Sequence, residues 1–455
     1  MKNYFVLFTF LNFLGNAQSD SAIIRKLYDY HLTQSLTYKN EEHLATKIGG
    51  RLSGSSQAAQ AVEWAKKAMY EAGADTVYLV PCMVPHWVRG DKEQAKLLST
   101  VTKDAMKLNV CALGGSVPTP ANGVSAEVIE VRSFDELKTL GKEKVRGKIV
   151  FFNVPLNANH IHTGSAYGES VKYRWGGASE AAKYGAVASL TRSMTLAYND
   201  SPHTGSMGYD TTVKEKIPAM AISTIGAEKL SNLLKKDPKA TLQLKTNCKT
   251  LAEEPSFSVV GEIRGNIKPE EIILVGGHLD SWDTGQGAHD DGTGVVQSIE
   301  ILAGFKKTGM RPGRTIRAVA FMNEENGTRG AKSYAEYSKA NKLKHIAAIE
   351  SDAGGFTPRA LGIQAGKDTV AIFQKWQDLF EPYDIKIKKG WGGADIDYLE
   401  AQGTICIGFE PDSQRYFDYH HTPDDTFDKV NKRELELGAA AINALVYLVD
   451  KYGIK

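Results

Sequence analysis

Beyond Glu254 the chain repeats one pattern, a short and nearly continuous apolar run followed by a stretch of helical period. The runs are Ile272–Val275, Ile316–Phe321, Ile346–Ile349 and Ile405–Phe409, and Val295–Phe305 typifies the amphipathic stretches between them. Runs that lack a polar alternate suit strands buried on both faces. Strands that alternate with helices are joined by crossovers, which makes the centre of the sheet parallel. The pattern predicts an α/β fold with a mixed, centrally parallel sheet flanked by helices.

Such a sheet gathers its chemistry at the carboxyl ends of its strands. His278 comes just after the first run, Glu324 and Glu325 just after the second, and Asp352 just after the third. Asp290 lies in Ala-His-Asp-Asp-Gly-Thr-Gly and His421 in Tyr-His-His-Thr-Pro-Asp-Asp-Thr. Taken singly, each has an ordinary explanation. His278 with Asp280 is a common surface pair, Asp352 a helix cap, and His420-His421 a polar surface loop, although the adjacent Asp424 and Asp425 suggest hydrogen-bonding partners that would brace the two histidines at a site. Together they are harder to dismiss, because the candidates follow three successive strands. Asp290 beside Asp291 is costly unless a cation or strong donors offset the repulsion. Two carboxylates after a buried strand are equally costly, and on extended backbone neighbouring side chains point apart. One of Glu324 and Glu325 can then bind metal while the other faces water. Two imidazoles and three carboxylates (His278, Asp290, Glu325, Asp352, His421) suit two zinc ions sharing a bridging carboxylate, with Glu324 left as a base.

The rest of the chain limits other readings. Its 455 residues allow two or three domains, and the formal net charge of +2 comes without a block of like charges. Neither nucleic acid nor an acidic membrane is an expected partner. From Ser21 to about Tyr70 the period is helical, interrupted by the glycine- and serine-rich turn at 48–56, and Thr76–Val84 reads as a strand. Residues from about Gly123 to Asn247 differ, with short β-like runs and polar loops holding His160, His162 and His203. Surface or loop positions are expected for those three. At the start, Lys2, the apolar run Tyr4–Leu14 and small residues at Gly15 and Ala17 describe a secretory signal peptide cut after Ala17. That run is shorter than the about 20 residues that span a bilayer, so an exported protein without stable membrane insertion is expected. Cys82, Cys111, Cys248 and Cys406 form no Cys-x-x-Cys pair, and buried free thiols are the favoured reading.

Taken in order and context, these motifs resemble the co-catalytic zinc peptidases of the aminopeptidase Y and bacterial leucyl aminopeptidase type. The segment Gly276-Gly-His-Leu-Asp-Ser-Trp-Asp-Thr-Gly-Gln-Gly-Ala-His-Asp-Asp291 carries the likeness, with Pro85–Gly90, Ser201–Gly205, Glu350–Gly354 and Tyr419–His421. It runs from about Leu44 to near the C-terminus. The resemblance implies two zinc ions per chain, one on His278 and Asp352, the other on Glu325 and His421, with Asp290 bridging. It implies that Glu324 is general base and then acid, and that Asp280 supports the site from beneath. It also implies a cis peptide between Asp290 and Asp291, short-peptide substrates and a homodimer. Residues 1–17 would be the signal peptide, 18–122 and 248–455 the peptidase domain, and 123–247 an inserted β-rich protease-associated domain. Many of the family carry Tyr before the final His; His420 stands there in this chain and is the candidate oxyanion partner. Two other functions use the same fold. A non-catalytic receptor or scaffold would show substitutions among the five ligands or the base, and all six residues are intact. A single-zinc cyclase of the glutaminyl cyclase type would not need the His278–Asp352 position.

Overall fold

The computed structural model describes residues 19–454; the expected signal peptide lies outside them. Eight strands form the main sheet, in the order Thr76–Val84, Glu254–Ile263, Arg314–Phe321, Lys268–His278, Lys344–Glu350, Ile405–Pro411, Pro358–Gln364 and Lys386–Lys389. The four apolar runs occupy its centre as four adjacent parallel strands, with Ile273 opposite Ile316, Val275 opposite Ile349, and Ile349 opposite Ile407. Antiparallel pairs flank this centre on both sides, making the sheet mixed.

Helices cover both faces, which is why the runs lack polar alternates. Ile273 and Val275 join a core with Ile24, Val295, Ile299, Leu302, Ile442 and Leu445 from the helices Asp20–Gln34, Thr293–Lys307 and Lys432–Tyr452. Leu274, Val319 and Phe321 point the other way, against Ala331 and Tyr334 of the helix Arg329–Ala340. Each such side chain contributes about 1.5–3 kcal/mol by leaving water. All four cysteines are buried and free.

A second sheet of eight strands lies over the first, in the order Ala105–Leu108, Gln94–Leu98, Thr241–Lys245, Val124–Val131, Ile149–Phe152, Ala188–Arg192, Ala219–Ile222 and Val110–Ala112. It departs from the expected β-rich segment 123–247 in two ways. The layer already begins at Gln94, because Gln94–Leu98 pairs with Thr241–Lys245 and Val110–Ala112 pairs with Ala219–Ile222. It also contains four parallel strands and the helices Phe134–Val145, Thr163–Lys183 and Thr224–Lys236, so it is itself α/β. The early strands are short and partly polar, and Thr163–Lys183 holds four glycines that weaken a helical signal.

The two layers meet at the carboxyl edge of the main sheet. Thr204 N–H donates to the His421 carbonyl at 2.9 Å, and Thr195 Oγ1 donates to Asp418 at 3.2 Å. No helix among the described residues is long and apolar enough to cross a membrane.

Candidate metal centre

The parallel strand Lys268–His278 ends at His278, which is 1% exposed. Its Nδ1 lies 2.9 Å from the Asp280 carbonyl, so Nδ1 donates there and Nε2 presents its lone pair to the site. Asp280 thus fixes the ring through its backbone. Its carboxylate has another task, accepting the backbone N–H groups of Asn323 at 2.7 Å and Glu324 at 3.0 Å. Asn323 has a left-handed φ of 73°, and these bonds hold the turn that aims Glu324 and Glu325.

His278 Nε2 is 3.2 Å from Asp290 Oδ1 and 3.5 Å from Asp352 Oδ1. On the other side His421 Nε2 is 3.2 Å from Asp290 Oδ2 and 3.1 Å from Glu325 Oε2. All five predicted ligands therefore converge, with the two oxygens of Asp290 facing opposite imidazole–carboxylate pairs. Asp290, His278 and Asp352 form one compact metal-type group, and Asp290, His420 and His421 another. Glu325 replaces His420 in the second when the shortest contacts are followed, since His420 Nε2 is 3.8 Å from Asp290 Oδ2. The His420 ring stacks on His421 with centroids 3.5 Å apart. The Asp290–Asp291 peptide is cis, as the resemblance implies.

These groups fit cations. His421 Nδ1 faces the Thr204 carbonyl at 3.3 Å, so both imidazoles turn bare Nε2 lone pairs toward carboxylate oxygens. Such pairs repel unless a positive charge stands between them. Buried Asp290 Oδ2 and Asp352 Oδ1 also have no hydrogen-bond donor. With protons as the available positive charge, burial disfavours the His278 imidazolium, but Asp352, Asp290 and Asp291 outweigh it and hold the pKa well above its ordinary value. Burial pushes Glu324 up to about 8, with Asp352 and Asp280 adding to the effect and His278 opposing it.

The adjacent acids divide their work. Asp291 Oδ2 accepts His278 N–H at 2.9 Å and its Oδ1 accepts Gly294 N–H at 3.0 Å, leaving Asp290 for the cations. Asp425 does not brace the His420-His421 pair as expected; it accepts the backbone N–H groups of His289 at 2.7 Å and Asp290 at 3.2 Å. Asp424 accepts from Ser201 of the second layer. His203 stands in a loop, as expected, but not at the surface. It is 3% exposed and borders a small void with His420 and Arg174, because the second layer closes over its loop. His160 pairs with Glu169 at 2.6 Å near the surface, and His162 lines the cavity over the metal-type residues. Sequence reasoning missed Tyr416, whose hydroxyl donates to Asp290 Oδ1 at 3.1 Å. It also missed Arg51, which is 0% exposed and donates to the carbonyls of Leu279, Gln286 and Gly287, pinning the loop between His278 and Asp290. Arg51 stands in the glycine-rich turn at 48–56, and an arginine there was the available signal.

Comparison with known proteins fits this geometry. The model of peptidase family M28 matches residues 258–446, the span that holds all five ligand candidates. Carboxypeptidase Q of Mus musculus is 36% identical over 437 residues, 96% of this chain and 90% of that protein. The chain belongs to peptidase family M28. It is a metallopeptidase, and its likeness to carboxypeptidase Q extends to that of Xenopus laevis, 39% identical over 91% of this chain and 86% of that protein. A solved structure, a peptidase M28 precursor from Shewanella amazonensis SB2B, superposes with a TM-score of 0.90 at 33% identity. It covers 95% of this chain and 96% of that one.

Proposed function

We propose that this M28 peptidase is an exported, homodimeric exopeptidase that binds two zinc ions and hydrolyses dipeptides or other short peptides. The observation that carries the reading is Asp290, each of whose carboxylate oxygens faces a separate imidazole–carboxylate pair. His278, Asp352 and Asp290 would hold one ion, and Glu325, His421 and Asp290 the other. When bound, such a pair lowers the pKa of a shared water and polarises the scissile carbonyl. Glu324 projects from the same turn as Glu325 and lines the cavity, so it takes the proton of the attacking water and returns one to the leaving amine. His420 faces the gap beside Asp290 and donates to the oxyanion that develops on the carbonyl. Asp280 keeps Glu324 and Glu325 on register through their turn. The second layer is read as a protease-associated domain that closes the site from above, and residues 1–17 as the export signal.

The test is metal content together with turnover. Chelated protein is expected to lose hydrolysis of unblocked dipeptides and to regain it as zinc approaches two per chain. Full activity at one zinc per chain, or activity indifferent to chelation, would overturn the reading.

A further inference from the structure

The cavity above the metal-type residues has a volume of about 930 Å³, and its floor is acidic. Arg174, Lys332 and Lys388 are the lysines and arginines in its lining. Lys388 is paired with Glu410 at 2.6 Å, and Lys332 is exposed. Arg174 differs from both. It is 8% exposed and has no carboxylate partner among the described residues.

Arg174 comes from the second layer, on the helix Thr163–Lys183. Its Nε donates to the Ser206 carbonyl at 3.3 Å, and its guanidinium lies over the Tyr167 ring, 5.4 Å from the centroid. Gly205, at φ 133°, gives it room: a Cβ there would stand 2.5 Å from Arg174 Cζ and 2.7 Å from His421 Nδ1. Nη1 of Arg174 is 3.4 Å from that same Nδ1. With Nδ1 donating to the Thr204 carbonyl, it cannot also accept from Arg174, so Nη1 faces a donor there and not an acceptor. A guanidinium has five N–H donors and cannot shed its charge, so burying it with one carbonyl acceptor at 3.3 Å leaves most of its capacity for a guest.

We propose that Arg174 is the specificity residue that recognises the free α-carboxylate of the departing residue, so that the C-terminus must lie one residue beyond the scissile bond. This deepens, and rests on, the short-peptide hydrolase reading above. The planar fork of a guanidinium matches a carboxylate with two parallel hydrogen bonds. Distance sets the length of substrate. Consecutive Cα atoms are about 3.8 Å apart, so the carboxylate of a dipeptide lies close to its scissile carbonyl and that of a longer downstream segment does not. Arg174 stands one imidazole ring beyond the metal-type cluster, behind His421, which matches the short span. Lys388 is already paired with Glu410 and Lys332 is exposed, so Arg174 is the buried, carboxylate-free cation of the wall, and it sets the direction in which a peptide enters.

The test compares a dipeptide with its C-terminal amide on the full-length, zinc-loaded enzyme. The wild type is expected to prefer the free acid in kcat/KM by about 10–100-fold, the range of a charge-assisted hydrogen-bonded pair. In Arg174→Met the acid-to-amide ratio is expected to fall to near one while zinc content stays at the wild-type level. Arg174→Lys is expected to keep part of the preference, and it supplies the same ratio should the Met variant fail to fold. Equal rates on acid and amide in the wild type would overturn the proposal. So would an Arg174→Met enzyme slowed by the same factor on both, which would make Arg174 a positioning residue for His421. If the zinc-loaded wild type cleaves neither compound, the short-peptide hydrolase reading itself falls.

Discussion

Asp290 and Asp291 are chemically identical neighbours with different partners, and those partners decide what each can do. Asp291 is saturated by the N–H groups of His278 and Gly294, whereas Asp290 Oδ2 has no donor and both its oxygens face imidazoles. Replacing Asp290 by Asn keeps the shape and removes the charge that two cations would share. The variant is therefore expected to lose bound zinc, as read by metal analysis of dialysed protein. Glu324 is expected to behave oppositely. Glu324→Gln should keep its zinc while kcat falls about 10²–10⁴-fold, the contribution of a general base. A Gln variant with near-normal turnover would remove Glu324 from that role. The two experiments separate holding the metal from moving the proton.

Elements place these residues, and the elements differ in how openly the sequence declares them. The central strands were legible because burial on both faces forces unbroken apolar runs, and strand ends then located His278, Glu324, Glu325 and Asp352. Tyr416, Arg51 and Arg174 were not, because each reaches the site from an element whose position depends on tertiary packing. The same holds for Gln94–Leu98, an amphipathic strand whose membership in the second sheet is set by pairing with a segment far along the chain. One buried acid allows an independent check of the helical packing. Glu300, on the helix Thr293–Lys307, is 2% exposed and accepts from Tyr30 Oη at 2.7 Å across to the helix Asp20–Gln34. Burial pushes its carboxyl up to about 7. A folded-state pKa above the unfolded value means that its stabilising effect is complete below pH 4.5 and is lost as pH rises through about 7. Glu300→Gln keeps an acceptor for Tyr30 without the ionisation. Above pH 7 the variant is expected to exceed the wild type in unfolding free energy by up to about 3 kcal/mol, with the gain shrinking toward pH 5. Denaturant titrations at pH 5, 6, 7 and 8 check this, and a gain independent of pH would show that Glu300 has the same pKa folded and unfolded, so that burial does not raise it.

At the scale of the whole molecule, the second layer does more than cover the sheet edge. The loop at 201–205 holds His421 by its carbonyl and its ring, through Thr204 N–H at 2.9 Å and the Thr204 carbonyl at 3.3 Å. One side of the candidate metal centre is thus braced by a different sheet from the one that supplies His278, Glu325 and Asp352. The same layer contributes His162, Tyr167, Arg174 and Trp175 to the cavity wall, so the cavity lies between the layers. A volume of about 930 Å³ falls within the size of a small-molecule site and accommodates a few residues of peptide. A folded protein is far larger than this cavity, so its internal backbone would reach Asp290 only if the two layers parted. The expected outcome is that dipeptides are cleaved rapidly while a folded protein and the internal bonds of a long unstructured peptide remain intact. Mass spectrometry of a long peptide after prolonged incubation reads this directly. Internal fragments appearing as fast as dipeptides are consumed would mean that the layers separate during turnover and that the second layer does not limit access.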